Sequence, residues 1–105
     1  MAAHPDDTVC LFEAAQYHAK KAAYPEAIGL YERCFEKEAR RPRFTDELMA
    51  ISDIHEIMGE YREAAKTQDR IIDLLVNEWH FTEDTGLEHA RQEKARLLAR
   101  VEKSE

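Results

Sequence analysis

The sequence predicts an all-α fold of five helices. Apolar residues recur at spacings of three and four along most of the chain, which is how one-sided helices are written. The strict alternation of a half-buried strand is missing. Only 3 Gly and 3 Pro occur in 105 residues, too few for a turn-rich β-sandwich. That length suits a single domain spanning residues 1–105.

Residues 1–6 show no periodicity and read as an N-terminal tail. Asp6, Asp7 and Thr8 supply caps and negative charge for a first helical turn. Leu11, Ala14, Ala15, His18 and Ala22 share the next face, predicting a helix from Asp7 to Ala22. Pro25 opens a second helix, because its missing N–H costs nothing in a first turn. Ala27, Ile28, Tyr31, Cys34 and Phe35 form its inner face, and it runs to Ala39. Arg40-Arg41-Pro42 ends it, since Pro42 cannot donate and drives Arg41 out of the helical region. Together these make a first helical pair over residues 7–40.

Thr45 is placed to cap a third helix, with Asp46 and Glu47 near its positive end. Leu48, Ile51, Ser52, His55 and Met58 form its stripe, and Gly59 closes it with a left-handed turn. Tyr61 opens a fourth helix, with Ala64, Ala65, Gln68, Ile71, Ile72 and Leu75 inward, reaching Trp79. The second pair spans residues 45–79. Thr85 and Glu88 have capping-box spacing for a fifth helix over residues 85–103, carrying Leu87, Ala90, Lys94, Leu97 and Val101. Trp79 and Phe81 are read as a staple holding that helix to the core rather than as an exposed anchor.

The chain resembles itself at an offset of 37 residues. Leu11 then falls on Leu48, Ala14 on Ile51, Ala15 on Ser52, His18 on His55, Ala22 on Gly59, Tyr24 on Tyr61 and Ala27 on Ala64. The stretch from Met58 to Ala65, with its partner from Ala23 to Ile28, resembles the tetratricopeptide repeat family: a turn glycine, a tyrosine, and a small residue three later. The spacing exceeds the family's roughly 34 residues. His18, His55 and Gln68 stand where aromatics are usual. The resemblance implies antiparallel helical hairpins stacked as a short right-handed α-solenoid, with the fifth helix as its solvating cap.

Net charge is -7, which argues against non-specific binding to nucleic acid or an anionic bilayer. No stretch is apolar enough for a transmembrane helix, and no export signal is expected. Cys10 and Cys34, without a CxxC, read as reduced and buried thiols in a cytoplasmic protein. His18 and His55 lack companions at ligand spacing. His80 and His89 sit among Glu83, Asp84 and Glu88, which is better explained as a solvated turn and an acidic helix start. No phosphate loop or nucleophile–base arrangement is present, so no catalytic residue, metal site or cofactor is expected.

In the tetratricopeptide family the first helix of each pair lines a concave groove. Here that places Val9, Phe12, Glu13 and Gln16, then Asp46, Met49, Ala50 and Asp53, in the groove. The Lys, Arg and Asn residues with which some members clamp a terminal carboxylate are missing at these positions. Glu13, Asp46 and Asp53 beside Phe12 and Met49 suit a basic or mixed apolar protein segment. The expectation is a non-enzymatic protein–protein interaction module. The alternatives are a self-associating homodimer or other homo-oligomer, and a regulator responding to a small ligand or peptide.

Overall fold

A computed structural model describes the backbone of residues 8–104 and the side chains of residues 10–103. It contains α1 (Thr8–Lys20), α2 (Tyr24–Lys37), α3 (Asp46–Ile57), α4 (Tyr61–Asn77) and α5 (Thr85–Ser104), and no strand among the described residues. The fold is all-α. The tail over residues 1–6 and the expected start at Asp7 lie outside the described residues. No helix described is long and apolar enough to cross a membrane.

The two hairpin turns are built alike. After α1, the amide of Ala22 donates to Ala19 O and that of Ala23 to His18 O at 2.8 Å. After α3, the amide of Gly59 donates to Glu56 O and that of Glu60 to His55 O, also at 2.8 Å. Each is the paired closure that satisfies a helix's last carbonyls through one left-handed residue. That residue is Gly59 at φ 78° in one turn and Ala22 at φ 60° in the other. The first helix therefore ends at Lys20, short of Ala22, because Ala22 is itself the turn.

Successive helices pack on one another, and the Cα positions fill a slab of 46 × 33 × 16 Å. Its thin dimension matches two helix layers at the usual 8–10 Å separation of axes. One core joins all five helices, from Ala15 through Tyr31, Leu48, Ile51, Ile71 and Leu74 to Leu87 and Ala90. Ala15, Ala27 and Ala64 are fully buried and Ser52 almost so, which lets the helix backbones approach. The Ser52 hydroxyl donates across that approach to Ala64 O at 3.1 Å.

Helix α5 runs antiparallel to α4. Leu87 lies at the Leu75 end, Lys94 pairs with Asp69 at 2.7 Å, and Arg100 reaches the Tyr61 hydroxyl at 2.7 Å. Leu97 is fully buried against Ala64 and Ala65. Both alanines are buried at this contact. The polar side of α5 is also engaged: Arg96 forks onto Glu56 at 2.7 and 2.8 Å and onto Glu93.

Two caps differ from the sequence reading. The Thr45 hydroxyl makes no capping hydrogen bond and lies 3.4 Å from Met49 Sδ. Thr85 is already helical, and Asp84 Oδ2 accepts from the amides of Gly86 at 2.8 Å and Leu87 at 3.3 Å. A carboxylate meets both the open amides and the positive helix end, which a threonine hydroxyl cannot do.

The connections before α3 and after α4 brace each other. Arg43 donates through its amide and guanidinium to Glu78, and Trp79 Nε1 donates to Arg43 O at 2.7 Å. Trp79 stacks on Phe81, ring centres 5.8 Å apart, with Phe44 6.1 Å away on a tilt. Trp79 is thus a half-buried staple, but it binds the loop before α3 as well as the chain leading to α5.

Candidate functional site

The groove residues expected from the sequence divide between two clefts. Phe12 is half-buried, its ring edge-on to Tyr31 at 5.5 Å, so most of it serves the core. Its remaining edge and Asp46 line a shallow cleft with Cys34, Glu38, Arg40 and Phe44. Glu13 and Gln16 are exposed. Ala50 packs against the core. The side chain of Val9 lies outside the described residues.

Met49 and Asp53 line a different cleft, between α3, α4 and α5, of about 140 Å³. Its remaining lining is Thr45, Gln68, Ile71, Leu75, Gly86, His89, Ala90 and Glu93. Ile71, Leu75 and Ala90 are buried and make an apolar floor, while Met49 is 44% exposed at the rim. The helix pattern explains this lining. Met49 and Asp53 are one turn apart on α3, as are His89 and Glu93 on α5, so each pair projects from a single face.

Acidic groups dominate the rim. The Arg96 fork holds the carboxyls of Glu56 and Glu93 below the usual carboxylate range, its hydrogen bonds outweighing partial burial. Asp53 behaves in the opposite way. Although its side chain is exposed, partial burial and the like charge of Glu56 and Glu93 push its carboxyl up, while Arg96 and His89 pull it down. The Asp53 carboxylate forms no hydrogen bond or ion pair with any described residue, whereas Glu56 and Glu93 both lie on Arg96.

At the floor, Gln68 is 6% exposed and its Nε2 donates to Ser52 Oγ at 2.9 Å. The sequence places Gln68 inward without showing its role here, reads His89 as part of a solvated acidic helix start, and gives no sign that His89 and Glu93 wall a cleft. One signal was available. Ser52 and Gln68 are polar residues on otherwise apolar stripes, and buried polar groups demand partners.

The thiols and imidazoles take other roles. Cys34 is buried and donates to Glu47 Oε2 at 3.3 Å, and burial, reinforced by that hydrogen bond, pushes its thiol up to about 12. Cys10 is exposed, contrary to the expectation of two buried thiols, because it falls outside the inner stripe of α1. His55 Nδ1 lies 2.7 Å from Glu60 Oε1, across the turn that Gly59 makes. Among the described residues no three His, Cys, Asp or Glu side chains are grouped to hold a metal ion.

No protein-family model matches this chain, and a search of curated proteins finds no match.

Proposed function

We propose that this chain is a tetratricopeptide-like, non-enzymatic protein–protein interaction module that binds a basic or mixed apolar segment of a partner protein. The observation that carries the reading is the cleft between α3 and α5, with its apolar floor of Ile71, Leu75 and Ala90 and its acidic rim. At about 140 Å³ it is well below the 300–1,000 Å³ typical of small-molecule sites, and it suits a side chain of a protein partner better than a free ligand. The like-built turns at Ala22 and Gly59, and the buried small residues Ala15, Ser52, Ala27 and Ala64, support a stacked-hairpin solenoid. Cys34 is the reverse of an activated nucleophile, since a thiol pushed up to about 12 stays protonated at neutral pH.

Selection from a displayed random-peptide library tests the reading, with Asp53→Lys as the counter-screen. Asp53 is exposed enough to accept a longer side chain without disturbing the core. Enriched sequences are expected to be basic with apolar neighbours and to lose binding to Asp53→Lys. Enrichment of acidic sequences, equal binding to both proteins, or no enrichment refutes it.

A further inference from the structure

The α3/α5 cleft presents hydrogen-bond acceptors at two depths. Ser52 Oγ carries one proton, and the geometry commits that proton to Ala64 O. Towards Gln68, Ser52 can therefore only accept, which fixes the Gln68 amide with Nε2 on Ser52 and Oε1 turned the other way. Gln68 Oε1 accepts from no described residue, yet no fully enclosed side-chain oxygen or nitrogen among the described residues lacks a partner. That oxygen therefore keeps an edge open to solvent, and Gln68 lines this cleft. Above it stands Asp53, the carboxylate that Arg96 leaves unpaired.

We propose that this cleft is a pocket for a single lysine side chain of a partner protein. The claim rests on the interaction-module reading and narrows it to one residue type. An ammonium has three donors and no fixed plane, so it can bond separate acceptors on two helices, here the Asp53 carboxylate on α3 and Gln68 Oε1 on α4. A guanidinium would commit its planar fork to the Asp53 carboxylate, whereas an ammonium can divide its donors between that carboxylate and Gln68 Oε1. The four-carbon stem of lysine needs an apolar channel, which Met49, Leu75 and Ala90 supply. An ammonium beside Asp53 would also offset the like charge of Glu56 and Glu93 around it.

The test is a titration of the ¹⁵N-labelled protein with three end-capped pentapeptides. Each has a central residue between leucines: lysine, Nε-acetyl-lysine or arginine. The lysine peptide is expected to shift the amides of Asp53, Gln68 and Ala90 saturably, and both other peptides to bind about tenfold more weakly or worse. Asp53→Asn, at an exposed site, should weaken the lysine peptide by a similar factor. Equal affinity for lysine and acetyl-lysine peptides overturns the lysine pocket while leaving the module reading intact. No response to any peptide up to millimolar concentration overturns the pocket, and the library selection then judges the module reading separately. If Asp53→Asn instead abolishes a concentration-dependent dimer that the lysine peptide cannot compete away, the occupant is a second copy and the proposal fails.

Discussion

Ala22 is where the sequence and the backbone disagree most directly. It sits at φ 60°, a left-handed conformation that crowds Cβ against the following carbonyl. Gly59 occupies the same turn at φ 78° in the second hairpin, and a Cβ built there meets nothing within 4 Å. The two positions therefore report backbone strain with little packing confounding it, since Ala22 is also exposed. Left-handed backbone costs a residue with Cβ about 1–2 kcal/mol, and glycine's extra freedom in the unfolded chain returns about 0.5–1 kcal/mol. Ala22→Gly should thus stabilise by about 0.5–1 kcal/mol, and Gly59→Ala should destabilise by a similar amount. For a domain of this size that is roughly 2–8 °C in Tm, upward for the first and downward for the second. Thermal unfolding followed by circular dichroism measures both. A lower Tm for Ala22→Gly, or an unchanged one for Gly59→Ala, would refute the assignment of these turns as equivalent left-handed closures.

Ser52→Ala should cost about 1–3 kcal/mol by stranding Gln68 Nε2, and Ser52→Ala/Gln68→Met should recover much of that loss in chemical denaturation. Trp79→Phe keeps an aromatic ring but trims its area and leaves Arg43 O without its indole donor, for an expected loss of about 1 kcal/mol or more in the same assay. Arg96→Gln should cost about 0.5–1 kcal/mol at neutral pH, discounted because the guanidinium is 43% exposed. The folded-state carboxyls of Glu56 and Glu93 are lowered, so the Arg96 contribution is present above the ordinary carboxylate range and disappears as pH falls through those lowered values. The Tm values of wild type and Arg96→Gln should converge in acid. Asp53 has the opposite sign. Its carboxyl is raised, so the folded state carries a penalty that is full above the raised value and fades as pH falls towards the unfolded one. Asp53→Asn should hold or slightly raise Tm at pH 7 and make no difference in strong acid.

Periodicity made the helices legible because it records which face of a segment avoids water. It does not record which neighbour covers that face. Phe12 illustrates the limit: on the helix pattern it belongs to a groove, but its half-buried ring also packs edge-on against Tyr31 of α2. Arg96 and Arg100 look solvated on their own helix, yet Glu56 and Tyr61 lie about 40 residues away in sequence and within hydrogen-bond reach in space. The start of α5 went to Asp84 rather than Thr85 because two caps one residue apart compete, and the charged one wins. Met49 and Asp53 were readable as exposed positions on α3. Their cleft was not, because its far wall and its floor come from α5 and α4.

Helix α5 therefore contributes to the core and to the cleft together. Leu87, Ala90 and Leu97 are buried on one side, and Ala90, His89 and Glu93 form the cleft wall on the adjoining side. Deleting the helix would strip the core and remove the cleft in one step, so a truncated chain cannot separate the two roles. Asp53 can, because it belongs to the cleft without belonging to the core. A carboxylate left unpaired between Glu56 and Glu93 costs the folded state at neutral pH, whereas the two glutamates are held by Arg96. On the lysine-pocket proposal, a cation entering the cleft would gain the interaction that Asp53 lacks. Stability and binding should then move in opposite directions at Asp53→Asn, and in the same direction at Ser52→Ala, where the loss of Gln68's anchor loosens core and cleft alike.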